Sequence, residues 1–131
     1  MNIRRETLSD LEAMTEIYNE AILTSTATFD IEPMTRDERL PWFESHDERH
    51  PILVAEVENQ IVGWSCLSQW RPRRAYADTA ETSFYVKASH RGRGIGRQLK
   101  QAIIEEARRL GFHTLIAGKV LDVTYLQLML N

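Results

Sequence analysis

The length, composition and charge of this chain narrow its class before any motif is considered. Its 131 residues, 43% of them hydrophobic, are enough for one domain with a core and too few for two, so we expect a single domain over residues 1–131. The formal net charge of −3 argues against a nucleic-acid partner, and no apolar run reaches the roughly 20 residues of a membrane span.

Cysteine usage indicates a reducing compartment. Cys66 has no second cysteine with which to form an internal disulfide. The opening residues MNIRRETLSD lack the apolar segment of a signal peptide. We therefore expect a cytoplasmic protein.

The first half of the chain is predicted to form a short strand, two helices and a hairpin. Residues 2–5 are extended in character, and 8–22 carry apolar residues at helical spacing. A short helix begins after Thr35, because Thr35 with Glu38, like Thr7 with Asp10, has the spacing of a capping box. Two β-rich runs then flank Asn59 and Gln60, which predicts an antiparallel hairpin.

The second half is predicted to contain a strand, a glycine-rich turn, a long helix and two more strands. The strand covers 80–87, the helix runs from about Gly94 to Leu110, and Gly111 suits a left-handed helix end. The last strands fall within 113–118 and 120–130. The order β, α, α, β, β, β, α, β, β predicts an α+β fold with a mixed, mostly antiparallel sheet flanked by helices.

The glycine-rich turn is the most informative segment. Gly92, Gly94 and Gly96 lie between a strand and a helix, where free N–H groups and the helix dipole favour a phosphate. A P-loop is excluded because Gly96 is followed by Arg97 and Gln98, not by Lys and Ser or Thr. The dinucleotide pattern fails as well, because the glycines alternate and no acidic residue follows at the required distance. A tight turn without a ligand is the alternative.

The segment Arg91 to Gly96 fits the R/Q-x-x-G-x-G/A loop of the GNAT superfamily of N-acetyltransferases. Within that superfamily the chain resembles the phosphinothricin and methionine sulfone/sulfoximine acetyltransferases. The resemblance covers residues 1–118 and is carried by EIYNEAIL, TATFD, PILVAE, ETSFYV, SHRGRGIGRQL and GFHTLIAG. It implies a GNAT fold, a homodimer, and transfer of acetyl from acetyl-coenzyme A, without a metal, to the amino group of a small amino-acid analogue.

The resemblance also implies two groups of cofactor contacts. Main-chain groups at the end of the predicted strand, Tyr85 and Val86, would lie alongside the pantetheine arm. Backbone amides of the glycine turn would hold the pyrophosphate; these residues are Arg91, Gly92, Arg93, Gly94, Ile95 and Gly96.

Glu81 is the predicted catalytic base. An ammonium must lose a proton before it attacks a thioester, and an α-amino group of pKa about 8 needs only a base of modest strength. Alternation along the strand puts Glu81, Ser83 and Tyr85 on one face, and the resembling family has its proposed base at this motif position. A solvated strand carboxylate is the alternative. A backbone N–H near the strand end is a candidate for stabilising the developing oxyanion.

Substrate-binding candidates lie in two loops. Arg71 and Arg73 precede the catalytic strand and form a possible fork for a substrate carboxylate, with solvated surface charge as the alternative. Phe29 is a candidate apolar wall, or an ordinary packing residue.

Other reactive side chains are assigned structural roles. His46 and His50 have metal-ligand spacing, but their charged, proline-terminated segment predicts a solvated helix end. Cys66 alternates with Trp64 and is predicted to lie in the core.

The resemblance breaks after Gly118. The family pattern continues with a loop holding a cofactor-binding asparagine, then a helix and a strand, whereas this chain runs directly into KVLDVTYLQLMLN. We predict a segment missing between Gly118 and Lys119, unobserved rather than deleted, because its loss would expose the sheet. A true deletion would favour a non-catalytic coenzyme A-binding module. An enzyme for a protein N-terminus or a polyamine is the other alternative.

Overall fold

A computed structural model describes residues 1–24, 33–69, 78–119 and 124–129. Its strands are β1 (Asn2–Arg5), β2 (Ile52–Val57), β3 (Gln60–Gln69), β4 (Thr79–Val86), β5 (Thr114–Lys119) and β6 (Thr124–Met129). Its helices are α1 (Leu11–Thr24), α2 (Arg36–Glu44) and α3 (Ile95–Arg109). Short 3-10 turns, Leu8–Asp10 and Ala88–His90, precede α1 and α3.

The described strands form one six-stranded sheet in the order β1-β2-β3-β4-β5-β6. The pair β4 and β5 is parallel, and the other neighbouring pairs are antiparallel. The crossover between β4 and β5 passes through α3, as a parallel connection requires. The predicted element order and the mixed, mostly antiparallel sheet are therefore confirmed.

Local signals explain where the helices begin. Thr35 and Glu38 bond reciprocally: the Glu38 N–H donates to Thr35 Oγ1 (3.2 Å) and the Thr35 N–H donates to Glu38 Oε1 (2.9 Å). At the other predicted box, Asp10 accepts from the Thr7 N–H (2.8 Å) and also from Arg4 (2.9 Å). The first turn there is a 3-10 turn, so α1 begins three residues later than predicted.

The hairpin turn lies one residue earlier than the sequence suggested. Glu58 and Asn59 both have positive φ, 50° and 64°, and Gln60 already belongs to β3. A two-residue turn with both residues left-handed matches the twist of the strands it joins, and asparagine tolerates that conformation.

Helices cover both faces of the sheet. On one face, α1 packs against Trp64 and Cys66 of β3, together with Ile52 and Val54 of β2. On the other face, side chains of α3 contact the sheet through Ile95, Leu99, Ile103 and Ala107. Cys66 is buried, as predicted, and burial raises the pKa of its thiol to about 11. Among the helices that the structure describes, none has the length and apolar character needed to cross a bilayer.

Gly63 allows α3 to approach β3 closely. A Cβ atom at this position would lie 2.9 Å from Leu99 Cδ1 and 2.9 Å from the Tyr85 carbonyl oxygen. A main-chain oxygen held in a sheet cannot move aside, so the added methyl group must displace the helix or distort the strand.

Replacing Gly63 by alanine is therefore expected to reduce the free energy of unfolding by about 2 kcal/mol, the usual cost of overpacking a core. Chemical denaturation of the two proteins measures the difference. Gly96→Ala is a suitable control, because the nearest atom to its Cβ is Val86 Cγ2 at 3.5 Å, an ordinary contact. Equal stability of Gly63→Ala and the unmodified protein would contradict the packing argument.

The chain passes through the predicted interruption as one strand. Gly118 and Lys119 are consecutive residues of β5 and pair with Tyr125 and Thr124 of β6. The segment predicted between Gly118 and Lys119 in the natural protein stays a prediction.

Candidate active site

A pocket of about 410 Å³ lies where β4 ends and α3 begins. Its walls are the end of β4 (Phe84, Tyr85, Val86), the glycine turn (Arg91, Gly92, Gly94) and the start of α3 (Ile95, Gly96), with Ala21 and His90. The structure thus brings together every predicted cofactor-binding residue except Arg93. That residue lines a neighbouring cavity of about 220 Å³.

The pocket adjoins an opening in the sheet. β4 and β5 pair from Thr79 with Thr114 to Thr82 with Ala117, and the register then ends. Residues 83–86 of β4 continue to pair with β3 on their other side. Within the described strands, one edge of this half of β4 therefore presents main-chain groups without a β5 partner, and an extended ligand can bond to them as another strand would.

The glycine turn owes its shape to backbone conformation. Gly92 and Gly94 have φ of 78° and 79°, in the left-handed region that favours glycine, and Gly94 is the N-cap of α3. No atom lies within 4 Å of a Cβ built on either residue. Glycine is required here by the backbone angle rather than by neighbouring atoms of the protein.

The start of α3 presents free hydrogen-bond donors to the pocket. The first main-chain bond at this end is donated by Gln98 to the Gly94 carbonyl (3.1 Å). The amides of Ile95, Gly96 and Arg97 precede it and have no acceptor within the helix. Together with the helix dipole, these donors make an anion site suited to a phosphate.

Two contacts hold the turn in place. The Ala88 N–H donates to Glu20 Oε1 of α1 (2.6 Å), and Arg91 Nε donates to the Val86 carbonyl (3.3 Å). Glu20 was not identified from the sequence, because its partner lies 68 residues away and no local pattern joins them.

Glu81 lies on β4 with its side chain on the α1 face of the sheet. It is opposite Ser68 of β3, as Ser83 is opposite Cys66 and Tyr85 is opposite Trp64. The side chain is half-buried, and burial raises the pKa of its carboxyl. Among the described residues, none donates a hydrogen bond to this carboxylate. Such a group is a stronger base than an exposed glutamate, but its catalytic role stays a prediction.

An aromatic cluster with a buried arginine occupies the same face. Arg39 is 7% exposed, and its guanidinium lies 4.1 Å from the ring centre of Tyr18 and 3.8 Å from that of Trp42. The Trp64 ring lies 5.2 Å from Trp42 and 4.8 Å from Tyr85. Sequence reasoning missed Arg39, because its charged segment resembles an exposed helix surface. The predicted substrate residues Phe29, Arg71 and Arg73 lie outside the described residues.

The prediction of a solvated helix end at His46 is wrong. His46 is half-buried, and its ring centre lies 4.6 Å from that of Trp42. Its Nδ1 is 2.9 Å from the Trp42 carbonyl, and its Nε2 is 3.1 Å from Ser68 Oγ. His50 instead bonds to Asp47 (2.9 Å). No group of three or more potential metal ligands occurs in the part of the chain that the structure describes.

Comparison with known proteins agrees with the family resemblance found in the sequence. The model of the acetyltransferase (GNAT) family matches residues 12–124. An L-methionine sulfoximine/L-methionine sulfone acetyltransferase of Salmonella typhimurium (strain LT2) is 38% identical over 119 residues, which are 90% of this chain and 70% of that protein.

Two solved structures extend the comparison. A ribosomal-protein-alanine N-acetyltransferase from Brucella melitensis matches with a TM-score of 0.87 and 38% identity, over 91% of this chain and 74% of that chain. A phosphinothricin acetyltransferase from Sinorhizobium meliloti, solved in complex with acetyl-CoA, matches with a TM-score of 0.84 and 32% identity, over 88% of this chain and 64% of that chain. Because the family model matches most of its length and these relatives share its fold, the chain belongs to the GNAT family of acetyl-CoA-dependent acetyltransferases.

Proposed function

We propose that this protein transfers acetyl from acetyl-coenzyme A to the amino group of a small amino-acid analogue of the phosphinothricin or methionine sulfone/sulfoximine kind. The observation that carries the proposal is the junction of the first amides of α3 with the half of β4 that β5 does not pair, on the same strand as Glu81. The relatives named for phosphinothricin and for methionine sulfoximine and sulfone support this class of acceptor.

The protein's residues fit the cofactor in two places. The amides of Ile95, Gly96 and Arg97 and the backbone of the glycine turn would bind the pyrophosphate. The end of β4 at Tyr85 and Val86, where β5 no longer pairs, would lie alongside the pantetheine arm, so that main-chain groups on this edge bond to its amides as a strand adds to a sheet. Glu81 lies four residues before Tyr85, about 13 Å along the strand, so the arm would direct the thioester towards the carboxylate.

Glu81 would act as the general base. Its carboxylate removes a proton from the ammonium of the acceptor, directly or through a water, and frees the lone pair for attack. The C–N bond then forms, the C–S bond breaks, and coenzyme A leaves as its thiolate. The second proton, which the nitrogen loses as it becomes an amide, protonates this thiolate directly or through water. A main-chain N–H in the half of β4 beyond its pairing with β5 would stabilise the negative charge on the carbonyl oxygen during this step.

An acceptor screen tests the proposal. Purified protein with acetyl-coenzyme A should acetylate methionine sulfone, methionine sulfoximine or phosphinothricin far faster than a peptide or a polyamine. Preference for an N-terminal alanine peptide would favour the second candidate, which the similarity to the ribosomal-protein-alanine enzyme supports. Coenzyme A binding without turnover of any amine would identify a non-catalytic binding module.

We further propose that the enzyme is a cytoplasmic homodimer with one domain over 1–131. Cys66 is buried and forms no disulfide, which suits a reducing compartment. Light scattering would measure whether the protein is a dimer in solution. The segment predicted after Gly118 is tested by the intact mass of the protein from its source: a mass of 15.2 kDa would exclude it.

A further inference from the structure

A side chain of α1 holds the point at which the chain leaves β4 for the glycine turn. The Lys87 N–H donates to the Val62 carbonyl of β3 (2.8 Å), so the chain stays bonded to the sheet up to this residue. Ala88 is the next residue, and its N–H donates to Glu20 Oε1 (2.6 Å). A carboxylate from a different element therefore fixes the first amide beyond the sheet.

Ala88 connects this anchor with the wall of the cofactor pocket. Its N–H is bonded to Glu20, and its carbonyl accepts from the Arg91 N–H (3.3 Å). Arg91 also donates through Nε to the Val86 carbonyl (3.3 Å), and it lines the pocket. A shift of Ala88 would therefore move Arg91 and, with it, the start of the glycine turn.

The same bonds divide the amides of this segment into two groups. Four amides at its start have an acceptor in the protein: those of Lys87, Ala88, His90 and Arg91. The next amide for which the structure shows a main-chain acceptor is that of Gln98, which donates to Gly94. The donors available to a phosphate therefore lie within 92–97, and their position depends on where Arg91 is held.

Glu20 stands on a rigid support. Two residues on either side of it in α1, Tyr18 and Ile22, are buried in the core against β2 and β3. The Tyr18 ring also meets Tyr85, near the end of β4, edge to face with 5.7 Å between the ring centres. Ala21 lines the cofactor pocket. The carboxylate is thus presented to the turn from a packed helix, the kind of support that precise positioning of a site requires.

We propose that Glu20 is a positioning residue for the cofactor: its bond to Ala88 fixes the glycine turn in the geometry that presents its amides to the pyrophosphate of coenzyme A. Without the bond, part of the binding energy must order the turn, so affinity falls although no contact with the cofactor is lost. As a carboxylate, Glu20 can only accept hydrogen bonds, and its charge opposes an anion, so it does not itself bind the diphosphate. The inference goes beyond the proposed acetyl transfer and rests only on the placement of the diphosphate at this turn.

Three substitutions at one position separate the bond from the charge. Glu20→Gln keeps a carbonyl oxygen at the same reach and should bind coenzyme A within about twofold of the unmodified protein. Glu20→Asp keeps the charge but shortens the side chain by one carbon–carbon bond, about 1.5 Å, so it no longer reaches Ala88. Glu20→Asp and Glu20→Ala should both weaken binding about fivefold, the usual net contribution of a hydrogen bond. Isothermal titration calorimetry with coenzyme A measures these affinities. Weak binding in Glu20→Gln with full binding in Glu20→Asp would overturn the inference, because the charge would then matter and the bond would not.

Asn19→Ala is the matched control for a general loosening of α1. The Asn19 side chain bonds twice to the main chain of Met34, donating to its carbonyl (2.7 Å) and accepting from its N–H (2.8 Å). The substitution removes both bonds from the same helix without removing a contact to the cofactor turn. Coenzyme A affinity should therefore stay within about twofold of that of the unmodified protein. Equal losses in Asn19→Ala and Glu20→Ala would show ordinary destabilisation of α1 and would contradict a positioning role.

Amide hydrogen exchange of the ligand-free protein tests the bond itself. The Ala88 amide should exchange about fivefold faster in Glu20→Ala and near its original rate in Glu20→Gln, whereas the Lys87 amide, bonded to β3, should not change. A labile Ala88 amide with unchanged coenzyme A affinity would show that the bond does not position the turn, and the inference would be wrong.

Gly96→Asp, which puts a carboxylate at the start of α3, shows which proposal has failed. A loss of coenzyme A affinity in Gly96→Asp with none in Glu20→Ala would leave the diphosphate at this turn and remove only the role of Glu20. Unchanged affinity in both variants would remove the placement of the diphosphate and the role of Glu20 together. No amine is present in these measurements, so failure to acetylate an acceptor would count against the proposed function alone.

Discussion

Glu81→Gln is expected to lower kcat/KM for acetylation of the acceptor amine by about 100- to 10,000-fold near neutral pH, the usual contribution of a general base. Glutamine has nearly the same shape and cannot accept the ammonium proton. The loss should be smaller at pH values above the pKa of the amine, near 8, because the free amine then needs no base. Steady-state rates between pH 5 and about pH 10 would measure both effects.

The rate of the unmodified enzyme should decrease at acid pH. Burial raises the pKa of Glu81, so activity should fall as the pH drops through that raised value and the base becomes protonated. Glu81→Gln should lose this acid limb. Coenzyme A affinity should be unchanged in the variant, because the anion site lies at the start of α3. Full activity in Glu81→Gln would remove Glu81 from the mechanism.

Gly96→Asp is expected to weaken coenzyme A binding without destabilising the fold. Gly96 is the second residue of α3, where a carboxylate interacts favourably with the helix dipole, and its Cβ would make ordinary contacts of 3.5–3.9 Å with Val86 and Phe84. The thermal midpoint should therefore stay the same or rise. A negative charge at the phosphate site opposes the pyrophosphate by about 4 kcal/mol at 4 Å for an effective dielectric of 20.

Coenzyme A affinity should consequently fall at least about 100-fold in Gly96→Asp, as measured by isothermal titration calorimetry. Gly96→Asn is the matched control, because it has the same size without the charge and should lose much less affinity. Equal losses in the two variants would attribute the effect to bulk. Unchanged affinity in both would show that the cofactor does not use this turn.

The sequence predicted those features that depend on neighbouring residues. The glycine turn, the Thr35 cap and the amphipathic α3 are local patterns, and each lies close to its expected position. The alternation that put Glu81, Ser83 and Tyr85 on one face is also local, and the strand register agrees with it. The family resemblance supplied the chemistry, since spacing alone left a ligand-free turn open.

Features that depend on distant contacts were not predictable from the sequence. The point at which β5 separates from β4 follows from how α3 and the two strands pack. No sequence pattern in β4 predicts this point. His46 and Arg39 lie in charged segments, yet Trp42 covers both side chains. Their burial is set by aromatic residues from α2 and other elements, so local charge was misleading.

The parallel pairing of β4 with β5 has a consequence for how the protein holds its ligand. β2, β3 and β4 follow one another in the chain and pair as antiparallel neighbours, whereas β5 joins β4 only after α3 has crossed the sheet, a less local step of assembly. The proposed cofactor site lies along the boundary between these two parts. A molecule bound there contacts both parts at once, so its binding energy opposes their local separation and suppresses opening of the C-terminal unit.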